Sequence, residues 1–553
     1  MSGLTDHTRW WGWGGESGRA HLPEHAGELL RTEIGLSPPA ARERVGPPGL
    51  EDVRLPEGRL PGRLRERLHA VLDAEHVRED RLARVSRAAG KSYPDLLRLR
   101  AGDAPEAPDA VLEPGSREEV AEALRACAEA GVAVVPFGGG TSVVGGVTPA
   151  REGFEAAVTI DLGRLDHVHP LDRRSLSAVL GAGAVGARVE AALAAQGLTL
   201  GHFPQSFELA TIGGFVATRS AGQASTGYGR IEDNVLGLRM ATPAGELTSR
   251  ATPASAAGPS LRELVVGSEG TLGVLTDVTV ALRPAPAVRR YEGWSFRSFA
   301  EGVEAFRTLA QADAAPDVAR LSDEQESRLS LALASTGTLG DRAGRAYLRA
   351  RGHGTGALAI LGFEGESRLV ARRQARTARL MRSAGAVGLG EGPGRAWARS
   401  RYAAPYLRDE LMDAGALVDT LETATSWSDL LELHHAVADA VRDALAARGT
   451  PPLVGCHVSH LYGTGASLYF TVLARAEEGA ELEQWRAAKR AASEAIASRR
   501  ATITHHHAVG ADHRPWIERE VGGLGVEVLR AAKERLDPAG VMNPGKLLPS
   551  GPR

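Results

Sequence analysis

Residues 136–146 read PFGGGTSVVGG and decide how the fold of this chain is interpreted. The sequence predicts a helix before this loop, because Ser116 and Glu119 form a capping box and Gly131 is a typical helix stop. The β-branched run at 132–135 then predicts a strand. The order of helix, strand and glycine loop, continued by further strand and helix patterns, predicts an α+β architecture.

Two common phosphate-binding motifs do not fit this loop. The dinucleotide-binding fingerprint needs glycines that open a helix, but Gly140 is followed by β-branched residues and more glycine. A P-loop needs Lys followed by Ser or Thr at the place where Gly146 stands. What remains is either an ordinary glycine-rich turn or a nest of backbone N–H groups for an anion such as a pyrophosphate, with Thr141 and Ser142 adding hydroxyl donors.

Two further stretches are rich in glycine. Residues 267–276 read GSEGTLGVLT, and with two clusters in one domain we expect both to offer donors to a pyrophosphate. Between residues 201 and 229, glycine, serine and threonine are so frequent that we expect a long ordered loop without regular elements. Because long ordered loops usually carry function, these stretches together predict a binding site.

Composition limits the classes of function. The 553 residues include 65 Lys and Arg against 68 Asp and Glu, a net charge of −3, with no long block of one sign, so no nucleic-acid partner is expected. No apolar run approaches the roughly 18 residues that span a bilayer, so no transmembrane segment is expected, while peripheral membrane contact stays open. Cys127 and Cys456 belong to no CxxC pair, which predicts a cytoplasmic protein without disulfides or a thiolate zinc cluster.

Several motifs taken together resemble known flavoproteins. Residues 136–146, 201–214 and 267–275 resemble the flavin-binding domain of the vanillyl-alcohol oxidase and para-cresol methylhydroxylase (PCMH) superfamily, and LDP at 536–538 with NPGKL at 543–547 is similar to its carboxy-terminal motif. Further motifs narrow the resemblance to the alkyldihydroxyacetonephosphate synthase family, namely WWGWG at 10–14, TRSAG at 218–222, YGRIED at 228–233, SH at 459–460, LYF at 468–470 and HHHAVG at 505–510. The resemblance extends from the first tryptophans to residue 548.

This resemblance implies a fold and a cofactor. It implies an α+β protein with a mostly helical segment at 1–103, a two-subdomain PCMH-type FAD-binding domain at 104–287, an inserted α/β cap domain for the substrate at 288–500, and a segment at 501–553 that returns to the flavin. FAD is expected to be non-covalent. The cofactor-binding residues that the resemblance implies are Pro136, Phe137, Gly138, Gly139, Gly140, Thr141, Ser142, Gln205, Ser206, Phe207, Glu208, Leu209, Ala210, Thr211, Thr218, Arg219, Ser220, Ala221, Glu269, Gly270, Thr271, Leu272, Gly273, Val274 and Leu275.

The resemblance also implies a reaction of ether lipid synthesis, and a homodimer. The acyl chain of acyl-dihydroxyacetonephosphate, a lipid substrate, is exchanged for a fatty alcohol through an adduct on flavin N5, with no net redox. The cofactor motifs would equally serve an FAD-dependent oxidoreductase of a 2-hydroxy acid or a related alcohol, but a Gly-Asp-Gly-Asn metal motif is missing at 459–468, which favours the synthase. A third class, a flavin-free binding protein, is disfavoured by the two intact glycine clusters.

Tyr469 is the tyrosine to which the resemblance assigns catalysis, in preference to the nearby Tyr462. It lies in the β-rich run ASLYFTV, where a tyrosine is ordinarily a half-buried packing residue. A phenol with a pKa near 10 becomes a useful acid or base only beside a group that lowers its pKa. We therefore expect such a group next to Tyr469.

His505, His506 and His507 are the other catalytic candidates. A metal tract is one interpretation, but a strand would send the middle side chain to the opposite face, and no carboxylate or cysteine accompanies them at ligand spacing, so no metal is expected. The resemblance implies that these histidines are needed for activity. An imidazole near the flavin could orient the tyrosine or move a proton at neutral pH.

Two arginines complete the candidate site. Arg408 matches the substrate-contacting arginine of the family, and a guanidinium can clamp a phosphate through two parallel hydrogen bonds. The ordinary alternative is a surface ion pair with Asp409. Arg320 also matches a family arginine, for which we expect a structural role.

Overall fold

The structure is a computed structural model that describes residues 8–15, 21–23, 26–36, 47–151, 153–334 and 339–549. Before residue 287 its helices are α1 (Ala26–Ile34), α2 (Gly62–Leu72), α3 (Arg81–Ser86), α4 (Tyr93–Arg100), α5 (Arg117–Glu129), α6 (Gly186–Ala194), α7 (Ile212–Ala217), α8 (Ser225–Tyr228), α9 (Ile231–Asn234) and α10 (Leu261–Val265). The strands of this part are β1 (Val77–Arg78), β2 (Ala110–Leu112), β3 (Ala133–Phe137), β4 (Ala157–Asp161), β5 (Ser177–Gly181), β6 (Leu198–Thr199), β7 (Val235–Thr242), β8 (Gly245–Ser249), β9 (Val274–Ala281) and β10 (Arg283–Pro284).

The rest of the described chain alternates long helices and strands. Its helices are α11 (Phe299–Gln311), α12 (Glu324–Ala334), α13 (Leu339–Ala350), α14 (Ser367–Ser383), α15 (Glu391–Ser400), α16 (Ala404–Asp413), α17 (Leu430–Ala446), α18 (Glu481–Ala497) and α19 (Ile517–Leu536). Its strands are β11 (Val288–Ser295), β12 (Val318–Ser322), β13 (Leu358–Gly365), β14 (Val387–Gly390), β15 (Ala416–Ser426), β16 (Leu453–Leu461), β17 (Gly465–Arg475) and β18 (Ala501–Thr502).

Two four-stranded sheets in the first half share one hydrophobic core. One has the order β1-β2-β4-β3 with β2, β4 and β3 parallel, and the other is antiparallel with the order β5-β9-β7-β8. Helix α5 contacts both sheets and buries Val120, Leu124 and Cys127, which share one helical face. Ser116 caps this helix by accepting a hydrogen bond from the Glu119 amide at 3.1 Å, so the predicted helix, strand and loop order is confirmed.

A single eight-stranded antiparallel sheet organises the second half. Its order is β14-β11-β13-β12-β16-β17-β15-β18, and helices α17 and α18 cover the strands at its centre. Leu468, Phe470 and Val472 of β17 lie in the core beneath these helices. Because side chains alternate along a strand, Tyr469 lies on the opposite face of the sheet.

The carboxy-terminal segment returns to the first sheet. The Val134 amide in β3 donates to Val541 O at 2.8 Å, and the Asn543 amide donates to Val134 O at 2.8 Å. Residues after α19 therefore run beside the strand that leads into the first glycine loop.

The glycine-rich stretch at 201–229 differs from the expectation of a loop without regular elements. It contains α7 and α8, and Gly213 lies inside α7, where a Cβ atom would stand 2.7 Å from Ala182 Cβ. The glycine allows this helix to approach β5 closely instead of interrupting it. Within the described ranges, no helix has both the length and the apolar character to cross a membrane.

Candidate active site

The loop after β3 presents unused backbone donors. The N–H groups of residues 138–142 donate to no protein acceptor in the part of the chain that the structure describes. Gly140 has a φ of 64°, a backbone conformation that a residue with Cβ rarely adopts. Consecutive free amides in such a loop form a nest suited to phosphate oxygens, so this loop fits the pyrophosphate of FAD.

The first glycine loop packs directly on the 205–211 stretch. A Cβ atom on Gly139 would lie 2.0 Å from Leu209 O, and one on Gly138 would lie 2.3 Å from Thr211 Oγ1. Only glycine fits at these two positions, because the loop lies too close to residues 209–211 to leave room for a Cβ atom. The structure thus brings together the first two of the predicted cofactor-binding stretches.

The second glycine cluster offers only some of the donors that the sequence predicts. The amides of Gly267, Ser268, Glu269 and Thr271 already donate to carbonyl groups within the protein, whereas those of Gly270, Leu272 and Gly273 have no acceptor among the described residues. That this cluster supplies a pyrophosphate with donors stays a prediction for these three amides. The cluster also allows close approach, because Gly270, with a φ of 72°, turns the chain so that a Cβ there would meet Pro136 Cγ at 2.8 Å.

Other predicted cofactor residues use their side chains for internal contacts. Thr218 Oγ1 donates to Gly214 O at 2.9 Å, Arg219 Nε donates to Val266 O at 3.1 Å, and Ser220 Oγ lies 3.1 Å from His202 Nε2. The side chains of five others are buried in the protein, namely Ala210, Ala221, Leu272, Val274 and Leu275. These residues can therefore contact a cofactor through their backbone atoms.

Asn543 of the carboxy-terminal motif joins the two glycine clusters. Its Nδ2 donates to Gly146 O at 3.0 Å and to Glu269 O at 2.7 Å. The Glu269 carboxylate in turn accepts from the amides of Val509 and Gly510, and burial raises the pKa of Glu269 to about 7. Sequence reasoning recognised the Asn-Pro-Gly-Lys motif but did not include Asn543 among the site residues.

A cavity of about 640 Å³ lies between this cradle and the histidine run. Residues from the flavin-binding half line one side and residues from the second half line the other; they include Thr218, Arg219, Glu269, Tyr462, His505 and His506. The cavity therefore connects residues 218–219 and the second glycine cluster with His505 and His506, whereas Tyr469, His507 and Arg408 are not among its lining residues.

The three histidines form a bend and not a strand. Their backbone amides all donate to the carboxylate of Glu422 in β15, with N–O distances of 3.1 Å from His506 and 2.8 Å from His507. The expectation of a strand that separates the middle histidine is therefore wrong, and so is the expectation that no carboxylate accompanies them. Sequence reasoning missed Glu422; a single glutamate inside the β-rich run ALVDTLETATS was the available signal.

The imidazole rings contact both tyrosines. Tyr462 Oη lies 2.6 Å from His505 Nε2, and His505 Nδ1 lies 3.0 Å from His506 Nδ1. The Tyr469 ring stacks on His506 at 5.9 Å between centroids and meets His507 edge-on at 5.5 Å. Tyr462, which the sequence analysis placed second, is the tyrosine in hydrogen-bond contact with the histidines.

Burial keeps these groups neutral at pH 7. It raises the pKa of Tyr469 to about 12 and lowers the pKa of His506 to about 3. Neighbours that lower the pKa of Tyr469 are present in Thr420 and Arg320, as expected, but burial outweighs them and the net shift is upward. Tyr469 is therefore a protonated phenol that can donate a hydrogen bond, beside imidazoles that can accept one.

A second buried network lies on the other side of Tyr469. The Tyr469 ring stacks on His457 of β16 at 4.9 Å, and His457 Nδ1 lies 2.9 Å from a Glu326 oxygen. Glu326 also pairs with Arg320. Although burial opposes it, His457 and Arg320 together lower the pKa of Glu326 to about 2. Arg320 thus acts on the site through Glu326 and His457, which agrees with the structural role expected for it.

Arg408 lies in α16 with a partly unused guanidinium. Its Nη1 donates to Lys91 O at 2.6 Å, while Nε and Nη2 are buried without a hydrogen-bond partner among the described residues. Asp409 accepts from the Trp13 amide at 2.6 Å and its Oδ1 lies 3.9 Å from Arg408 Nη2, so the two residues form a long, buried ion pair and not a surface one. Tyr469 is near enough to influence the pKa of Arg408, which burial lowers. The arrangement suits an anionic substrate group beside the tyrosine.

Comparisons with known proteins agree with this architecture. Residues 108–249 match the model of the FAD binding domain, and residues 285–547 match that of the FAD linked oxidases, C-terminal domain. Alkyldihydroxyacetonephosphate synthase of Dictyostelium discoideum is 32% identical over 99% of this chain and 94% of its own. A solved alkyldihydroxyacetonephosphate synthase is similar with a TM-score of 0.83 and 29% identity, over 98% of this chain and 100% of the other.

A more distant structure shows the shared fold. Substrate-bound p-cresol methylhydroxylase has a TM-score of 0.64 at 13% identity, over 88% of this chain and 96% of the other, which confirms the predicted PCMH-type α+β fold. The protein is thus an FAD-binding enzyme that holds its cofactor non-covalently. The chain belongs to the alkyldihydroxyacetonephosphate synthase family.

Proposed function

We propose that the protein exchanges the acyl chain of acyl-dihydroxyacetonephosphate for a fatty alcohol, with no net oxidation or reduction. The observation that carries this proposal is Arg408, a buried guanidinium whose Nε and Nη2 have no hydrogen-bond partner among the described residues, next to a neutral tyrosine and histidine cluster. A phosphate group supplies the oxygen acceptors that this guanidinium lacks. Family membership supports the same reaction.

The residues have separate roles in this proposal. Arg408 binds and orients the phosphate of the substrate. A neutral imidazole of the bend accepts a proton from the carbon beside the substrate ketone and later returns it, while Tyr469, protonated at neutral pH and stacked on His506, donates a hydrogen bond to the substrate oxygen. Bound FAD supplies the electrophilic centre for the substrate carbon. The apolar walls of the cavity, including Leu272 and Ile503, exclude water from these steps.

The test is an anaerobic exchange assay. Purified holoenzyme is mixed with acyl-dihydroxyacetonephosphate and a labelled fatty alcohol while the flavin spectrum is followed. Sustained incorporation of label by oxidised enzyme, without an electron acceptor, supports the proposal. Absence of exchange, together with flavin reduction by a 2-hydroxy acid, would overturn it in favour of the oxidoreductase.

The proposed setting includes contact with a membrane surface. Leu524 and Val528 of α19 are 74% and 59% exposed, and Val521 on the same helix is 40% exposed and lines the cavity. This apolar stripe would let a lipid substrate pass from a membrane into the cavity. Co-sedimentation with phosphatidylcholine vesicles, compared with Leu524→Ser, tests this contact; equal sedimentation of both proteins would contradict it.

The remaining parts of the proposed setting are a cytoplasmic location and a homodimer. The cysteines Cys127 and Cys456 are buried and unpaired, which supports a reducing compartment. Light scattering of the purified protein checks the dimer, and a monomeric mass would contradict it.

A further inference from the structure

Glu422 is a buried carboxylate with an unusual set of partners. Its side chain has no solvent exposure, and it accepts hydrogen bonds from Thr504 Oγ1 at 2.5 Å and from the three successive amides of His505, His506 and His507. We propose that Glu422 is a positioning residue that fixes the histidine bend against Tyr469. The inference deepens the proposed function, on which it rests.

The strand register places Glu422 beside the catalytic tyrosine. Glu422 in β15 pairs directly with Tyr469 in β17, and its side chain lies on the same face of the sheet. Glu422 is thus linked to Tyr469 by the backbone pairing of their strands, and to the histidine bend by the hydrogen bonds of its carboxylate. Any movement of the bend relative to Tyr469 has to break hydrogen bonds to Glu422.

The backbone geometry of the bend depends on this carboxylate. In an extended strand, successive amides point in opposite directions, so three in a row cannot reach one side chain. If the carboxylate is removed, these amides lose their shared acceptor inside a buried site. Because an unsatisfied buried donor is costly, the bend is expected to rearrange rather than keep its shape.

The charge of Glu422 also acts on the imidazole rings. Its oxygens lie 3.6 Å from His506 Nδ1 and 3.8 Å from His507 Nδ1, which favours a proton on each of these nitrogens. If His506 Nδ1 carries the proton, His505 Nδ1 is the acceptor in their contact, and His505 Nε2 carries the proton that is donated to Tyr462 Oη. The Glu422 carboxylate therefore fixes which nitrogens carry protons in the hydrogen-bonded chain from His506 through His505 to Tyr462.

The charge on Glu422 is maintained by its surroundings. Although burial opposes ionisation, His506, His507 and His505 with Thr504 hold the pKa of Glu422 well below its usual value. The other charged or titratable groups around the bend include Tyr469 of β17, His457 of β16, His460, Tyr462, His513, Arg230 and Lys489. Glu422 raises the pKa of His506 and His507, against burial, which lowers it.

The main experiment is Glu422→Gln in the holoenzyme. We expect FAD content to be kept, kcat for exchange to fall at least about tenfold, and KM to change less than about threefold. Since the neutral amide no longer raises the histidine pKa, the acid limb of the kcat profile should move to lower pH. A purely structural role would lower the melting temperature without moving that limb.

Two isosteric variants give a matched comparison that does not depend on Glu422→Gln folding. Thr504→Val removes one hydrogen bond to the Glu422 carboxylate, whereas Thr423→Val removes the 2.6 Å bond from Thr423 Oγ1 to Thr502 O, which holds the same segment from the other face of β15. We expect kcat to fall several-fold in Thr504→Val and to stay unchanged in Thr423→Val, at similar losses of stability.

The outcomes separate this inference from the proposed function. Equal kcat and pH profiles for wild type, Glu422→Gln and Thr504→Val would overturn the positioning role while exchange itself stands. If the wild type shows no exchange, the same variants are compared on flavin reduction by a 2-hydroxy acid, and an unchanged rate there would also overturn it. Equal losses in Thr504→Val and Thr423→Val would assign the effect to stability alone.

Discussion

The phenol oxygen of Tyr462 lies 2.6 Å from Nε2 of His505, while Tyr469 contacts the histidine bend only through its ring. Two tyrosines therefore approach the same histidines in different ways. Tyr462 extends the hydrogen-bonded chain, and Tyr469 stacks on it with a phenol that burial keeps protonated. This difference gives the two residues different mutational signatures.

Tyr469→Phe should keep FAD and the fold but lose at least about a hundredfold in kcat, the usual scale for an acid–base group. Tyr462→Phe should lose only about tenfold, because it frees His505 without removing the proton donor. Steady-state exchange kinetics and the FAD absorbance of both variants check this. A larger loss for Tyr462→Phe would transfer the catalytic role to that residue.

Gly139→Ala should weaken FAD binding. The new Cβ would stand 2.0 Å from Leu209 O, so the loop has to move and its amides lose their convergence. We expect a loss of at least about tenfold in FAD affinity, or about 1.4 kcal/mol, measured by reconstitution of apoprotein. Gly463→Ala is the control, since no atom lies within 4 Å of a Cβ at that exposed turn. Equal affinities in both variants would contradict the cradle.

Arg408→Lys should raise KM for the phosphate-bearing substrate at least about tenfold with FAD content unchanged, because an ammonium cannot reproduce the parallel Nε and Nη2 donors. Arg395→Lys is a matched control on the neighbouring helix α15, where the arginine is 63% exposed and pairs with Glu391. An unchanged KM in Arg408→Lys would remove Arg408 from the substrate site.

The stability of the protein should fall as pH drops below about 6.5. Burial lowers the pKa of four histidines to about 3, namely His202, His460, His506 and His513. As the pH falls, the unfolded chain is therefore protonated at these histidines before the folded chain is, which favours unfolding. Glu269 and Asp512 act in the opposite direction, because burial raises their pKa to about 7 and about 6. The histidines outnumber these carboxyls, and each uncompensated proton is worth about 1.4 kcal/mol per pH unit.

Melting temperatures measured from pH 7 to pH 5 check this dependence. His513→Asn should flatten the decline, since one buried histidine no longer contributes. Asp512→Asn should steepen it, because a compensating carboxyl is lost. A melting temperature that rises from pH 7 to pH 5 would contradict the assignment of these histidines as buried and neutral.

The parts of the site that the sequence predicted correctly are local. The capped helix, the strand and the glycine loop at 136–146 follow each other along the chain, so spacing and residue type were sufficient to place them. The resemblance added the carboxy-terminal motif and the tyrosine and histidine candidates. Assignment of those residues to cofactor and substrate remains a prediction for the experiments above, as do the domain boundaries.

The parts that were missed depend on tertiary contacts. Glu422 is 83 residues from His505 in sequence, and the pairing of β15 with β18, the strand before the bend, brings the two together. The amides of Gly267, Ser268 and Glu269 in the second glycine cluster donate to α7 and α10, which composition does not show. The tyrosine pKa shifted upward because burial outweighs its polar neighbours, and burial of a single side chain is set by the whole sheet.

The pairing of residues 541–543 with Val134 has a consequence for biosynthesis. The strand that leads into the cofactor loop is made long before its partner, since Asn543 lies 397 residues after Gly146 in the chain. Asn543, which joins the loop to Glu269, arrives equally late. The nascent chain therefore lacks a complete flavin cradle until residues 541–543 have been made, and loading of the cofactor has to follow their synthesis.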